Sequence, residues 1–487
     1  MTDKVAYTIT VEGTWTIIRF PTSDIDDSIV RNSAISFSRG KSDIFILRTP
    51  SVILKLNYTL DQNNIYDSIN SYLDNLITSI SIEDGNLSTA NPRHDAFARL
   101  RVAQPQTLFN SKLINGDKNP LLWDEAIISG SGITSSTPTF AQPYSDITST
   151  INTACVFRRQ TKRYFNYQPG KSQLILLTGV LLVSGGGEGV KNRIGYFDDD
   201  DGLYFEYDND TVYVVVRSNI SGTPTETRIP QQNWNIDKLD GTGKSNITLD
   251  ITKSQIFVID FQWLSIGRVR YGFEIDGSLY YAHQQNCANS QSLPYMSNPN
   301  LPIRAEMITT AASPATTMRV ICSAVISEGG IEPPNISFGI ESDIINANSI
   351  TTRYTLVAIR LKPDFNGAQI DIQNVDILSL TADSFIWSIH LNPTLNSPLT
   401  FTPLANSAVE YALGDSGNPS STSLTTDGTI ISSGFGTGNS SVALAIKGTL
   451  KLGSFIDGTK DIIVLAVKPI SSNADIKGIL NIEELFT

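Results

Sequence analysis

Short runs of alternating apolar and polar residues, joined by Gly and Asp turns, restrict the fold of this chain more than any other feature. In residues 268–275 the apolar side chains fall on every second position, while Arg268, Arg270 and Glu274 take the other face. This is the period of a β-strand with one face in water. An Asp-Gly-Ser turn at 276–278 then reverses the chain. The pattern predicts a β-sandwich.

The length and composition extend this prediction to a multidomain, mainly β protein. At about 150 residues per domain, 487 residues indicate two to four domains. Charged residues make up 17% of the chain, below the usual value of about 25%. Asn, Ser, Thr and Ile take their place, and this bias favours strands and turns over helices.

The pattern divides the chain into four parts. Residues 1–90 are expected to be β-rich with one helix, because apolar residues between Ile65 and Ile80 recur at intervals of three and four. Residues 91–153 lack a sustained period and are expected to form an extended connector and linker. Residues 154–332 predict a central jelly-roll or lectin-like β-sandwich, and residues 335–487 predict a C-terminal β-sandwich.

Charge and hydropathy argue against nucleic-acid and membrane partners. The 48 acidic and 36 basic residues give a net charge of −12, and the basic residues form no cluster. The sequence has no apolar window near the ~18 residues of a membrane span, and the segment after Met1 lacks the apolar run of a signal peptide. We therefore expect synthesis in a cytoplasm. The three cysteines have no CxxC spacing, so neither a zinc site nor a disulfide framework is indicated.

Catalytic motifs are missing, so the sequence predicts a protein that is not an enzyme. His94, His283 and His390 are far apart, and no nucleophile or metalloprotease motif accompanies them. Glycoside hydrolysis needs two carboxylates about 5 to 10 Å apart. Carboxylates that alternate along the exposed face of a strand produce the same sequence pattern when they have no catalytic role. The carboxylates that strands of a sandwich would supply are Glu206, Glu274, Asp260 and Asp276. The aromatic residues available to stack on sugar rings are Tyr204, Tyr207, Tyr213, Tyr280, Tyr281 and Trp234.

Two acidic turns are the only indication of a cofactor, which would be calcium. Their carboxylates are Asp198, Asp199, Asp200, Asp201, Asp208 and Asp210. Calcium prefers such oxygen ligands, but the spacing is not that of an EF-hand. Solvated carboxylates that cap hairpins are the alternative.

The segment 91–125 combines arginines and aromatic residues without a period, which is typical of a contact with another surface. The residues expected in that contact are Arg93, Phe97, Arg99, Arg101, Phe109 and Trp123. Arginine and aromatic side chains dominate binding energy at interfaces. An internal strap that ties this segment to the central sandwich is the alternative.

Several stretches of the sequence, which we call phrases, are not explained by the alternation of a β-strand alone. They include NPRHDAFARLRV at 91–102, FNYQPGKS at 165–172, QWLSIGRVRYGF at 262–273 and PYMSNPNLPIR at 294–304. Over about 91–330 the chain resembles a family of virion structural proteins from marine tailed phages and large DNA viruses of algae and protists. The resemblance implies a non-enzymatic minor capsid, head-decoration, tail or fibre component in the virion.

The expected partners follow from that resemblance. They are other virion proteins and further copies of the same chain, and host-surface attachment through glycans is left open. The rival interpretation is a carbohydrate-binding lectin, or a glycoside hydrolase, on the same β-sandwich.

Overall fold

The computed structural model describes residues 94–97, 99, 101, 104–330, 335–439, 441–445 and 451–485, together with the backbone of six short strands before residue 90. The chain forms two compact units, Met1–Thr89 and Ala90–Thr487. The six strands of the first unit are β1 Thr8–Glu12, β2 Trp15–Pro21, β3 Ile44–Arg48, β4 Ser51–Leu56, β5 Ile82–Glu83 and β6 Asn86–Leu87. They pair in the orders β1-β2-β4-β3 and β5-β6. The helix predicted between Ile65 and Ile80 lies outside the described residues.

The second unit begins with the central sandwich, which has fifteen strands. Their bounds are β7 Pro105–Lys112, β8 Trp123–Gly130, β9 Ile133–Ser135, β10 Ser145–Ser149, β11 Cys155–Thr161, β12 Ser172–Ser184, β13 Val190–Phe197, β14 Gly202–Asp208, β15 Thr211–Ser218, β16 Thr225–Pro230, β17 Gln255–Phe261, β18 Arg268–Ile275, β19 Ser278–Asn286, β20 Ile303–Thr309 and β21 Thr317–Glu328. One antiparallel sheet has the order β19-β18-β17-β12-β21-β10-β9, with β7 also paired to β21. The other has the order β16-β15-β14-β13-β20-β11-β8. The predicted jelly-roll-like sandwich is thus confirmed.

The core between these sheets is aromatic. The ring centroids of Phe205 and Phe257 lie 5.1 Å apart, and those of Phe257 and Phe273 lie 5.5 Å apart. All three side chains are buried. Trp263 follows β17, is partly buried and packs against this core. The alternation at 268–275 therefore locates a strand of the core.

The segment expected to be connector and linker is part of the sandwich. Its strands β7, β9 and β10 extend the eight-stranded sheet, and β8 forms an edge of the seven-stranded sheet. These strands gain their order from pairing with distant strands such as β11 and β21. A local period is not needed for this, which explains why the sequence pattern missed them.

The C-terminal sandwich contains the remaining strands. Their bounds are β22 Asn335–Glu341, β23 Ile345–Ala347, β24 Arg353–Leu361, β25 Gln369–Ser379, β26 Phe385–Leu391, β27 Thr394–Leu395, β28 Thr402–Pro403, β29 Val409–Leu413, β30 Ser423–Thr426, β31 Thr429–Gly436, β32 Ser441–Ala445, β33 Ile463–Pro469 and β34 Ala474–Leu485. One sheet contains β22, β23, β25, β32 and β34, and the other contains the remaining eight strands. A separate apolar core, which includes Trp387, Leu465 and Ile482, lies between them.

A loop of the C-terminal sandwich contacts the central one. The amide N–H of Ile456 donates to the Asp124 carboxylate at 2.8 Å, and the Ser454 N–H donates to the Lys162 carbonyl at 2.8 Å. The Lys162 ammonium also lies 3.9 Å from the centre of the Phe455 ring. These contacts account for the single compact unit that contains both sandwiches.

Within the described residues no helix is long and apolar enough to cross a membrane.

Candidate functional site

The two acidic turns do not form a shared calcium site. Residues 198–201 connect β13 to β14 and residues 208–210 connect β14 to β15, so the turns lie at opposite ends of β14. A strand of 7 residues is about 23 Å long, too far for one ion to bind both turns. In the described parts of the chain, no group of three or more His, Cys, Asp or Glu side chains is placed to hold a metal. The expectation that the two turns gather ligands for calcium is therefore wrong.

Each of these carboxylates has partners within the chain. Asp198 accepts the backbone N–H groups of Asp200 and Asp201. Asp199 pairs with Arg158 and Arg304, and Asp200 accepts a hydrogen bond from Asn219. Asp201 accepts the Ser297 N–H, Asp208 pairs with Arg228 and Lys191, and Asp210 accepts the Tyr207 hydroxyl.

A buried ladder of alternating charges crosses the outer face of the seven-stranded sheet. Four residues opposite one another on β11, β20, β13 and β14 form it, in the order Arg158, Glu306, Arg193 and Glu206. Arg193 Nε donates to Glu206 at 2.6 Å and its Nη1 donates to Glu306 at 3.0 Å. Arg158 Nε donates to Glu306 at 2.7 Å. We call these four residues the charge ladder.

Arginines keep two carboxylates of this face, Glu306 and Glu226, ionised. Burial opposes ionisation of Glu306, but Arg193, Arg304 and Arg158 outweigh it and lower the pKa of that carboxyl. Burial acts in the same way on Glu226, beside the ladder, where Arg193 and nearby groups lower the pKa to about 2. A general acid near neutral pH requires the opposite shift. These carboxylates are thus suited to ion pairing within the sheet.

The other carboxylates considered for hydrolysis are not brought to the same place. Glu206 lies on the seven-stranded sheet, whereas Asp260 and Glu274 lie on the eight-stranded sheet. Asp260 is opposite Arg270, four residues along β18 from Glu274, or about 13 Å. Asp276 lies in the exposed turn after β18. The fold therefore does not bring Glu206, Asp260 and Glu274 together.

The described residues 94–97, 99 and 101 form a strap over the outer face of the eight-stranded sheet. Arg268 donates to the carbonyl of Ala96 at 2.7 Å, and Arg270 donates to that of His94 at 2.7 Å. From the strap, Arg101 pairs with the buried carboxylate of Asp260. The polar face of β18, which the alternation predicts to be wet, is therefore covered by the chain itself.

The strap also covers Glu328. Arg101 Nε lies 3.1 Å from a Glu328 oxygen. Burial, reinforced by the neighbouring carboxylate of Asp260, raises the pKa of Glu328 to about 7. Glu328 therefore titrates near neutral pH beneath the strap.

The residues of the predicted assembly contact have different environments. Phe109 and Trp123 are buried in the central core, with ring centroids 6.0 Å apart. Phe97 is partly buried and stacks with Arg99, which is exposed. Arg93 lies outside the described residues, and Arg101 makes the ion pairs given above. Phe109 and Trp123 thus pack internally, and a contact of this set with another chain stays a prediction.

An open cleft lies where the β14–β15 turn meets the loop from residue 231 to residue 249. It has a volume of about 510 Å³. Its lining includes Asp210, Tyr213, Pro230, Gln232, Asp240 and Thr248. A few polar groups beside an aromatic ring in a concave surface are typical of a ligand site. We refer to it as the edge cleft.

Local chemistry builds both walls of the edge cleft. Asn209 and Asp210 have φ values of +48° and +61°, the left-handed conformation of a tight hairpin turn. On the other wall, the buried Asp237 carboxylate accepts the N–H groups of Leu239 at 2.9 Å and Ser245 at 2.8 Å. The Arg228 guanidinium lies 4.1 Å from the centre of the Tyr213 ring and holds that ring in place. The walls are therefore formed before any ligand binds.

Sequence reasoning found one component of the edge cleft. Among the six aromatic candidates, only Tyr213 and Tyr280 are partly exposed, and Tyr213 lines the cleft. Trp234 is buried, and its indole N–H donates to the Ile229 carbonyl. The loop from residue 231 to residue 249 was not predicted, because its polar residues have no period. Its Asp-Gly turn at 240–241 was the available signal.

Comparisons with known proteins give low similarity. No protein-family model matches the chain, and no curated protein matches it either. An endo-1,3-beta-glucanase from Streptomyces sioyaensis is 11% identical, with 46% of this chain and 97% of that chain covered and a TM-score of 0.32. Lectin II from Ulex europaeus is 12% identical, with 46% and 98% covered and a TM-score of 0.27. The CBM2 module of the evolved Dit of Lactobacillus casei BL23 phage J-1 is 8% identical, with 47% and 99% covered and a TM-score of 0.28. A likeness at this level does not assign a function.

Proposed function

We propose that this chain is a non-catalytic, glycan-binding β-sandwich protein and that the edge cleft is its binding site. The cleft is the observation that carries this proposal. It offers the Tyr213 ring and the Pro230 ring as apolar surfaces, beside the amide of Gln232 and the hydroxyl of Thr248. Sugars present apolar C–H faces and many hydroxyl groups, so this combination suits them.

The state of the carboxylates supports a binding role over hydrolysis. On the seven-stranded sheet, Glu306 and Glu226 have lowered pKa values and are paired with arginines. The carboxyl whose pKa is raised, Glu328, lies on the other sheet beneath the strap. A pair consisting of an acid and a base across one accessible sugar position would be needed for hydrolysis. We therefore assign the carboxylates to ion pairing.

The test is binding of the full chain to a broad panel of immobilised glycans. We expect at least one neutral glycan to bind, and Tyr213→Ala to weaken it about tenfold or more, equivalent to about 1.4 kcal/mol. Tyr280→Ala is the matched control, because Tyr280 is a partly exposed tyrosine on β19 of the other sheet. Thermal melting shows whether both variants remain folded. Absence of binding by the parent chain would remove the proposal, and release of reducing sugar would remove its non-catalytic part.

A role in a virus particle is the second candidate, and it is proposed from the resemblance of the long phrases in the sequence. Two of these phrases, 91–102 and 262–273, contact each other in the fold, where Arg268 and Arg270 donate to the backbone carbonyls of Ala96 and His94. In this role the chain would assemble with other virion proteins and with further copies of itself.

Mass spectrometry and antibody labelling of purified particles test this second candidate. We expect the chain in intact particles, at a fixed stoichiometry relative to the capsid. Its absence from purified particles would reject the virion role and leave glycan binding untouched.

A further inference from the structure

The edge cleft has an unbalanced charge. Its lining contains two carboxylates, Asp210 and Asp240, and no lysine, arginine or histidine among the residues that the structure describes there. Lys238 acts on Asp240 from nearby, but it is exposed and is not part of the lining. This differs from the charge ladder, where each carboxylate is paired with an arginine.

The two carboxylates are fixed in position by hydrogen bonds. Asp240 Oδ1 accepts the backbone N–H of Thr242 at 2.9 Å and its hydroxyl at 2.6 Å. These bonds lower the pKa of Asp240, so the group is ionised at neutral pH. Asp210 Oδ1 accepts the Tyr207 hydroxyl at 2.5 Å. Asp210 therefore lies on the hairpin-turn wall of the cleft and Asp240 on the loop wall, and each carboxylate accepts hydrogen bonds within the chain.

Electrostatics then restricts the ligand. Arg228 contacts the Tyr213 ring but is not part of the lining, and it is already paired with Glu206 and Asp208. An anionic sugar would therefore bring a like charge to the two carboxylates without a lysine, arginine or histidine in the lining to offset it. A neutral sugar gains only hydrogen bonds from the carboxylates. A protonated amine gains a charge-assisted hydrogen bond in addition, and such bonds are about twice as strong as neutral ones.

Building on the proposed glycan binding, we infer that the edge cleft selects sugars that carry a free amine over their N-acetylated forms and rejects acidic sugars. The ammonium group lies between Asp210 and Asp240, and the sugar ring lies against Tyr213. The uncharged groups of Gln232 and Thr248 bind ring hydroxyls.

Isothermal titration of the full chain with three oligosaccharides of equal length tests this inference. The probes are a glucosamine oligomer, an N-acetylglucosamine oligomer and a galacturonate oligomer, in mildly acidic buffer where the amine is protonated. We expect the amine form to bind about tenfold more tightly than the acetylated form, with no measurable binding of galacturonate. In the double variant Asp210→Asn, Asp240→Asn we expect this preference to disappear, so that the ratio of the two affinities falls to about one.

Asp250→Asn is the matched control. Asp250 makes the same two bonds, to the N–H of Thr252 at 2.9 Å and its hydroxyl at 2.6 Å, but it does not line the cleft. We expect the preference for the amine to survive in this variant. Equal binding of the amine and acetylated forms, or tight binding of galacturonate, overturns the inference and leaves glycan binding standing. Failure of every probe and of the wider glycan panel overturns the proposed function as well.

Discussion

Replacement of Arg193 by methionine tests the charge ladder directly. Arg193 is 5% exposed, and its ladder partners Glu206 and Glu306 are 0% and 1% exposed. Methionine retains much of the length of the side chain and removes the charge. The variant therefore leaves two buried carboxylates without their shared partner.

The expected loss of stability depends on how many arginines remain beside Glu306 and Glu206 in the variant. Removing one member of a buried ion pair costs about 3 to 5 kcal/mol, because the partner charge stays buried. Glu306 retains Arg158 at 2.7 Å, and Glu206 retains Arg228. We therefore expect the lower end of the range, about 3 kcal/mol. A double-mutant cycle with Glu306→Gln should return a coupling of about 1 to 3 kcal/mol.

Native-state hydrogen exchange read by mass spectrometry is the suitable assay, because a chain with several sandwiches does not unfold in one step. Peptides from β13 and β14 report the free energy of opening around Arg193. The control is Arg319→Met, since Arg319 and Asp146 form a pair in which each side chain is 25% exposed. Such a pair contributes about 0 to 1 kcal/mol. A loss of less than about 1 kcal/mol in Arg193→Met, equal to that of the control, would refute the reasoning.

Three further predictions follow from burial, titration and the acidic turns. Phe257→Ala should cost about 3 to 5 kcal/mol of stability, because Phe257 is 1% exposed, and Trp263→Ala should cost less because Trp263 is only partly buried; equal losses in denaturant titrations would contradict this. The raised pKa of Glu328, about 7 against 4.5, means that the folded state retains a proton that the unfolded state loses, so this group makes stability fall as the pH rises from about 4.5 to about 7. Glu328→Gln should remove that slope from melting midpoints measured across the range, and an unchanged slope would assign it to another group. Millimolar calcium should leave the melting midpoint unchanged, since the acidic turns lie at opposite ends of β14, and a rise that chelation reverses would show a site after all.

Alternation of apolar and polar residues predicted those strands of the central sandwich whose neighbours in the sheet are also close in sequence. The expected strand at 268–275 is β18. Its period of two reflects a physical requirement, because every second side chain packs into the core. The C-terminal sandwich was predicted on the same basis and is confirmed by its separate core.

Strands that pair at long range leave no comparable pattern in the sequence. Strand β7 carries mostly exposed residues at its beginning, and its register is set by β21, more than 200 residues away. The strap was seen as a segment that contacts another surface, but the pattern does not say which surface. Only the fold shows that Arg101 meets Asp260.

The edge cleft was beyond sequence reasoning for a similar reason. Its walls are a hairpin turn at 208–210 and a loop at 231–249, and neither has an apolar period. The acidic turn was interpreted as a calcium ligand, because the sequence shows how many carboxylates a turn has and not where the next turn lies. Because the two acidic turns lie at opposite ends of β14, they cannot bind one calcium ion together.

The register of the seven-stranded sheet gives the charge ladder a role that apolar packing does not fill. A slip of one residue turns every side chain to the opposite face and is excluded by the core. A slip of two residues keeps the apolar face inward, so packing alone discriminates against it weakly. In the observed register Arg193 is opposite Glu306, whereas a two-residue slip would place it opposite Arg304 or Ile308 on β20. The first arrangement sets two buried arginines against each other, and the second leaves Arg193 without a carboxylate on that strand. Buried ion pairs contribute little net stability compared with apolar residues of the same size, so the ladder is better explained by this specificity of register than by stability or catalysis.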